Sequence, residues 1–184
     1  MPCPYLGQRR GESPLAGYTI PQMKRERATL PSPTPRTITV ARKFEVRDAP
    51  AVQQILRMSP EAAAWTLNSL ERLRLRGEVG WVIDTGSAVC GFLVIRTVAQ
   101  EAEILNLSVD PAKRRAGNGT ALLREALKEC RELHVKKIFL EVRESNLTAI
   151  SFYKKQGFVE NGKRPGYYQD PPEAAVLMMR ELRG

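Results

Sequence analysis

The stretch that most constrains this chain runs from Glu103 to Thr120, EILNLSVDPAKRRAGNGT. Glu103 to Val109 reads as a buried strand and Asp110-Pro111 ends it. Arg114-Arg115-Ala116-Gly117-Asn118-Gly119 then leads directly into an amphipathic helix. Strand, glycine-bearing turn and helix in that order outline an anion cradle. Gly117 and Gly119 let backbone N–H groups approach an anion closely, and the helix aims its unpaired first amides and positive dipole end at the same point. Arg114 and Arg115 would add charge-assisted hydrogen bonds to phosphate oxygens. A dinucleotide-binding turn needs a further glycine where this chain has Leu122. A Walker loop needs a lysine before its Ser/Thr, whereas Thr120 follows Gly119 directly. A plain glycine-rich turn before a helix stays open as the alternative.

The rest of the chain is patterned for one folded domain. Residues 37 to 45 alternate as a strand, and Asp48 offers an N-cap for a helix with Pro50 in its first turn, running to about Met58. Ser59-Pro60-Glu61 reads as the start of a second helix, its apolar positions Ala63, Leu67, Leu70 and Leu73 keeping helical spacing up to Gly77. Val79–Asp84 and Val89–Val98 around Thr85-Gly86-Ser87 predict a hairpin, with the Glu103 strand beside it. The helix from Gly119 to about His134 gathers Leu122, Leu123, Ala126, Leu127, Cys130 and Leu133 on one face. A strand over Lys137–Val142, a helix over Leu147–Gln156 closed by Gly157, and strands from Phe158 and over Ala174–Met179 complete the order βααβββαβαββ. That order implies a mixed α/β fold, a central sheet covered on its faces.

Residues 1–36 differ in kind. Seven of the 13 prolines fall here, and Arg9, Arg10, Lys24, Arg25, Arg27 and Arg36 face only Glu12 and Glu26. Such a stretch cannot bury enough surface to offset its ordering entropy, so a disordered basic extension is expected before a folded domain over 37–184. The net charge of +9 favours anionic partners without making nucleic acid the main one. No apolar run approaches the roughly 20 residues of a membrane span, and a cytoplasmic protein is expected. Cys3, Cys90 and Cys130 with the single His134 have no metal-ligand spacing, so neither a metal nor a disulfide is expected, and His134 reads as a helix-end residue.

Two further residues stand out chemically. Glu141 lies among Ile138, Phe139, Leu140 and Val142. It is either a general base, tuned upward by apolar neighbours, or an edge glutamate paired with Arg143 or another cation. Tyr153 is either a proton donor or an aromatic packed beside Phe152. Asn146 is placed to cap the helix carrying Tyr153.

Arg114 to Gly119 fits Arg/Gln-x-x-Gly-x-Gly/Ala after a strand ending in Val109-Asp110-Pro111. Leu140-Glu141-Val142-Arg143-Glu144-Ser145-Asn146, then Ala149-Ile150-Ser151-Phe152-Tyr153-Lys154-Lys155-Gln156-Gly157-Phe158, follow it. Over roughly residues 100 to 180 the chain resembles the GNAT acetyltransferase superfamily, most closely its enzymes for the N-terminal alanine of a small-subunit ribosomal protein. The resemblance implies the GNAT acyl-CoA N-acyltransferase fold, with acetyl-CoA as cosubstrate and a protein N-terminus as partner. Arg114, Arg115, Ala116, Gly117, Asn118, Gly119 and Thr120 would hold its diphosphate. A bulged strand at Leu107, Ser108 and Val109 would offer amides to the thioester oxygen and pantetheine, and Asn146 would contact the pantetheine arm. Glu141 would act as base and Tyr153 as acid by direct transfer in a ternary complex. Tyr167 and Tyr168 would flank the peptide or else simply cover the sheet. Acetylation of lysine or a small amine, and a non-catalytic acetyl-CoA-binding module, are the rival readings.

Overall fold

The computed structural model describes residues 39–62 and 65–182; the extension expected over 1–36, with Cys3, lies outside them. The strands are β1 (Val40–Lys43), β2 (Glu78–Asp84), β3 (Val89–Val98), β4 (Glu101–Val109), β5 (Lys137–Arg143), β6 (Val159–Gln169) and β7 (Pro172–Glu181). The helices are α1 (Ala49–Arg57), α2 (Leu67–Glu71), α3 (Asn118–Glu132) and α4 (Leu147–Lys155). Their sequence along the chain is the expected βααβββαβαββ, and one seven-stranded sheet runs β1-β2-β3-β4-β5-β7-β6. Every neighbouring pair is antiparallel except β4 and β5. That single parallel pair needs a crossover, and α3 supplies it.

Strand alternation divides the core in two. Leu93, Ile95, Ile138, Leu140 and Val142 turn to the side where α3 brings Leu122, Leu123, Ala126 and Cys130, and α4 brings Ile150 and Tyr153. Phe92, Val94 and Val82 turn the other way, onto Ala49, Val52 and Leu56 of α1 and Leu70 of α2. Helices α1 and α2 cover only the β1–β4 half of that second face. Among the described residues no helix is long and apolar enough to cross a membrane.

One local expectation fails and another holds only in part, for identifiable reasons. The second helix does not run from Ser59 to Gly77: α2 spans only Leu67–Glu71, and a 3-10 turn over Arg74–Arg76 follows it to Gly77. Ser59 is buried, and its hydroxyl receives Arg114 at 3.0 Å instead of capping a helix. Thr66 takes the capping role, accepting the Ser69 amide at 3.1 Å. Asp48 is the N-cap residue of α1 as expected, but its carboxylate accepts from Arg42 at 2.8 and 2.9 Å and from the Glu45 amide at 2.9 Å, closing a capping box on the turn before α1 and bonding no amide of α1 itself.

Burial alone would raise the Asp48 carboxyl, yet the Arg42 and Glu45 hydrogen bonds outweigh it and hold the group below the ordinary carboxylate range. A depressed carboxyl stabilises the fold above its unfolded value of about 3.9, and that contribution is lost as pH falls through the folded value. Asp48→Asn is therefore expected to cost about 1–3 kcal/mol at neutral pH in urea denaturation. The gap to the parent should close as the medium is taken below the ordinary carboxylate range and through the depressed folded value; an unchanged gap in acid would show that Asp48 stabilises by packing.

Candidate active site

The site is organised by a parting of strands. β4 and β5 pair only from Glu101 with Lys137 to Ile104 with Leu140. Beyond that point β4 stays with β3 as far as Val109, and β5 stays with β7 as far as Arg143. An opening lies between Leu105–Val109 on one side and Glu141–Arg143 on the other. β-branched and leucine side chains anchor both strands in the core, so neither can swing across to close it.

The irregularity expected at Leu107, Ser108 and Val109 sits earlier. Val94 pairs with Asn106 and Ile95 with Ile104, which leaves Leu105 as the extra residue, while Leu107 to Val109 pair regularly with β3. Register then decides which amides face the opening. The Asp110 amide donates to Cys90 O of β3 at 2.9 Å, and alternate residues turn their N–H groups to opposite edges. The amides of Leu107 and Val109 therefore point into the opening, and that of Ser108 points back to β3. The Ser108 hydroxyl donates to Asn106 Oδ1 at 2.9 Å.

After β4, Asp110 accepts the Ala112 amide at 2.9 Å and starts a tight turn. Arg115 has φ +64° and Gly117 has φ +85°, and Gly117 is the N-cap of α3. The left-handed cap bends the chain so that the first amides of α3, which have no intrahelical acceptor, face outward from its end. The Asn118 side chain is buried and donates to Lys113 O at 2.8 Å, closing the turn from within. A Cβ placed on Gly119 would lie 3.5 Å from Phe152 and 3.8 Å from Leu107, so α3 begins close against α4 and β4. Backbone amides, a helix dipole and the exposed Arg115 suit a diphosphate.

Arg114 departs from expectation. Its guanidinium donates to Val109 O at 3.0 Å, to Ser59 Oγ at 3.0 Å and to Glu61 Oε1 at 2.8 Å. It ties the end of β4 to the segment between α1 and α2 and does not reach out over the turn. Asn146 caps α4 as expected, accepting the Ala149 amide at 3.0 Å.

Glu141 and Tyr153 lie on opposite faces of the sheet. Tyr153 is packed within the α3/α4 core between Phe152 and Phe158, ring centroids 5.2 and 5.4 Å away. Burial pushes its phenol well above the ordinary range. Glu141 points to the other face, where no helix among the described residues covers the sheet. The apolar surroundings expected for its carboxylate are replaced by a guanidinium and a phenol: Arg164 Nη1 stands 2.8 Å from Oε1, and Tyr167 hydrogen-bonds the same carboxylate. That bond, then partial burial, raises the Tyr167 phenol. Arg164 also lies over the Tyr167 ring at 5.0 Å, and Tyr167 meets Tyr168 edge-on at 5.1 Å. Glu141 lines a groove of about 320 Å³ with Phe139, Leu177, Arg164, Arg96 and Glu103.

Arg143 does not pair with Glu141. It bonds Glu173 at 2.6 Å and Asp170 O at 2.8 Å and stacks on Tyr168 at 4.1 Å, pinning the β6–β7 hairpin to β5. Sequence reasoning missed Arg164 and the Arg114 bridge. The sheet order β5-β7-β6 brings Arg164 to Glu141, and no local spacing encodes it.

A split parallel pair, an anion cradle behind one strand and a carboxylate at the mouth of the split define an acyl-transfer enzyme, and residues 45–158 match the acetyltransferase (GNAT) family. The chain belongs to that family and is an acetyl-CoA-dependent N-acetyltransferase. It is 31% identical over 137 residues to the ribosomal protein bS18-alanine N-acetyltransferase of Escherichia coli (strain K12), covering 73% of this chain and 92% of that one. The crystal structure of the E. coli ribosomal-protein-S18-alanine N-acetyltransferase superposes with a TM-score of 0.70 at 28% identity, over 80% of this chain and 97% of that one. Ard1 from Thermoplasma volcanium gives 0.73 at 33% identity, over 79% and 99%.

The two glycines of the cradle should respond differently to a methyl group. Gly117→Ala forces an L-residue into the left-handed region and is expected to cost about 1–2 kcal/mol. Gly119→Ala meets only ordinary van der Waals neighbours and should leave the thermal midpoint almost unchanged. Equal losses in the two melts would mean that the turn is not held by the conformation at Gly117.

Proposed function

We propose that this chain acetylates the α-amine of a protein N-terminus, and that its acceptor is the N-terminal alanine of a ribosomal protein. The carrying observation is the position of Glu141, the first β5 residue past the point where β4 and β5 part. Its carboxylate stands at the mouth of an opening into which Leu107 and Val109 turn their amides. The E. coli relative's designation supports the choice of acceptor, and a groove of about 320 Å³ beside Glu141 offers room on the acceptor side.

Acetyl-CoA supplies the acyl group already activated as a thioester. Residues 115–120 would bind its diphosphate through backbone amides and the α3 dipole, with the Arg115 side chain as the cation. The Arg114 side chain has no part in this; it holds the turn in place through Val109 O, Ser59 and Glu61. The Leu107 and Val109 amides would take the carbonyl oxygen and pantetheine, donors fixed in advance where negative charge develops. The Asn146 carboxamide would contact the same arm while its oxygen caps α4. Glu141 takes the proton from the amine. Tyr153, on the opposite face, keeps its proton because burial disfavours the phenolate, and gives it to the departing sulfur. Base and acid on opposite faces let amine and thiol occupy the site together, which suits direct transfer without an enzyme-bound acyl group.

Mass spectrometry of peptides incubated with acetyl-CoA tests the acceptor. A free N-terminal alanine should be acetylated and an Nα-blocked lysine peptide should not; the reverse would overturn the reading. Glu141→Gln and Tyr153→Phe should each lower kcat by roughly a hundredfold or more while calorimetry still shows CoA binding. Full turnover in both would remove the assigned chemistry. The raised phenol also sets the sign on the alkaline side. Activity should not decline from phenol ionisation up to about pH 10, where an ordinary tyrosine would be half ionised.

A further inference from the structure

Glu141 is not a bare carboxylate. Pro165, Gly166 at φ +61° and a break in the β6–β7 register between Arg164 and Tyr168 turn the strand so that Arg164 and Tyr167 return to the same side chain. Two of its charged neighbours are matched elsewhere, Arg143 with Glu173 and Arg96 with Glu103, and Glu101 lies at the far side of the same groove. We propose that Arg164 is a specificity-determining residue, which makes the acceptor slot admit amines in their neutral form and thereby selects N-terminal α-amines over lysine side chains. The inference rests on the acceptor reading above and deepens it.

The selection is electrostatic. A lone carboxylate attracts an amine as its ammonium ion, the form in which lysine and N-termini are alike. A guanidinium at 2.8 Å cancels that charge and repels a second cation, while leaving carboxylate lone pairs to receive an N–H from a neutral amine. The slot then draws on the free-base fraction in solution. At pH 7 an α-amine of pKa about 7.8 is roughly 15% free base, and a lysine of pKa about 10.4 well under 0.1%. That few-hundredfold difference belongs to the amines in solution; Arg164 adds a smaller factor by denying the ammonium form, in which lysine stays almost entirely, a route in through Glu141. It also keeps the demand on Glu141 small, because the arriving amine needs to lose its proton only once attack has begun.

The test uses two unreactive acceptor peptides that differ only in charge at the N-terminus, one trimethylated and the other its neutral tert-butyl isostere. With the parent enzyme the neutral peptide should inhibit more strongly. In Arg164→Gln the trimethylated peptide should gain about fivefold, the scale of one half-exposed ion pair, with the neutral one unchanged. The ratio of kcat/KM for the free N-terminal peptide over the Nα-blocked lysine peptide should fall by a similar factor. Arg164→Lys, which keeps the cation, should restore both. Equal inhibition of the parent by the two peptides, or a selectivity ratio unmoved in Arg164→Gln, overturns the proposal. If Arg164→Gln fails to fold, the inhibitor pair on the parent decides alone. Failure of the parent to acetylate any N-terminal amine would instead bring down the acceptor reading, which the lysine arm of the same assay separates from this one.

Discussion

The separation of β4 from β5 after Ile104 and Leu140 is the constraint on which the rest depends. Two parallel strands normally satisfy each other's backbone along their whole shared length. Here each keeps its outer neighbour, β3 or β7, and the inner edges face one another across a gap. Main-chain donors left unpaired inside a protein are costly unless something receives them. Under the function proposed above, a substrate carbonyl and an amide-bearing arm would be the recipients, and the defect that weakens the sheet would make the binding site. The cores on either face hold the gap open: Leu140, Val142 and Ile104 pack under α3 and α4, and Phe92 and Val94 under α1 and α2.

The two faces of the gap have different characters. The α3/α4 side is rigid and apolar, with the left-handed Gly117 cap, the start of α3 and the buried Tyr153 gathered around it. The opposite side is polar and held by ion pairs, Arg164 on Glu141 and Arg143 on Glu173. Arg114 links the systems at the end of β4, where it joins the Val109 carbonyl to Ser59 and Glu61. An arginine suits that junction because its planar fork can bond three acceptors at once.

Much of this was legible in the chain because the information was local. The apolar stripe from Leu122 to Cys130, the Asn146 cap with Gly157 behind α4, and the turn of Gly117 and Gly119 each lie within a few residues of what they specify. The strand order along the chain followed from the same patterns. What escaped was non-local. Helical spacing of Leu67, Leu70 and Leu73 suggested one long helix, but Ser59 was claimed by an arginine fifty-five positions away, and Thr66 started a shorter one. The bulge fell at Leu105 and not at Leu107 to Val109, a shift that only the pairing with β3 reveals. Glu141 was recognised, but the cation beside it came from β6, two strands distant in the sheet.

Almost every residue of β6 is exposed, and none of the large side chains of the two cores comes from it. Yet this strand carries Arg164, Tyr167 and Tyr168 to the mouth of the gap. Substitutions along it should therefore be nearly silent for folding while changing the side chains that border the gap. A strand so loosely tied to the cores is free to drift where the rest of the sheet is not, so the border of the gap can be remade while the framework that holds it open is inherited intact.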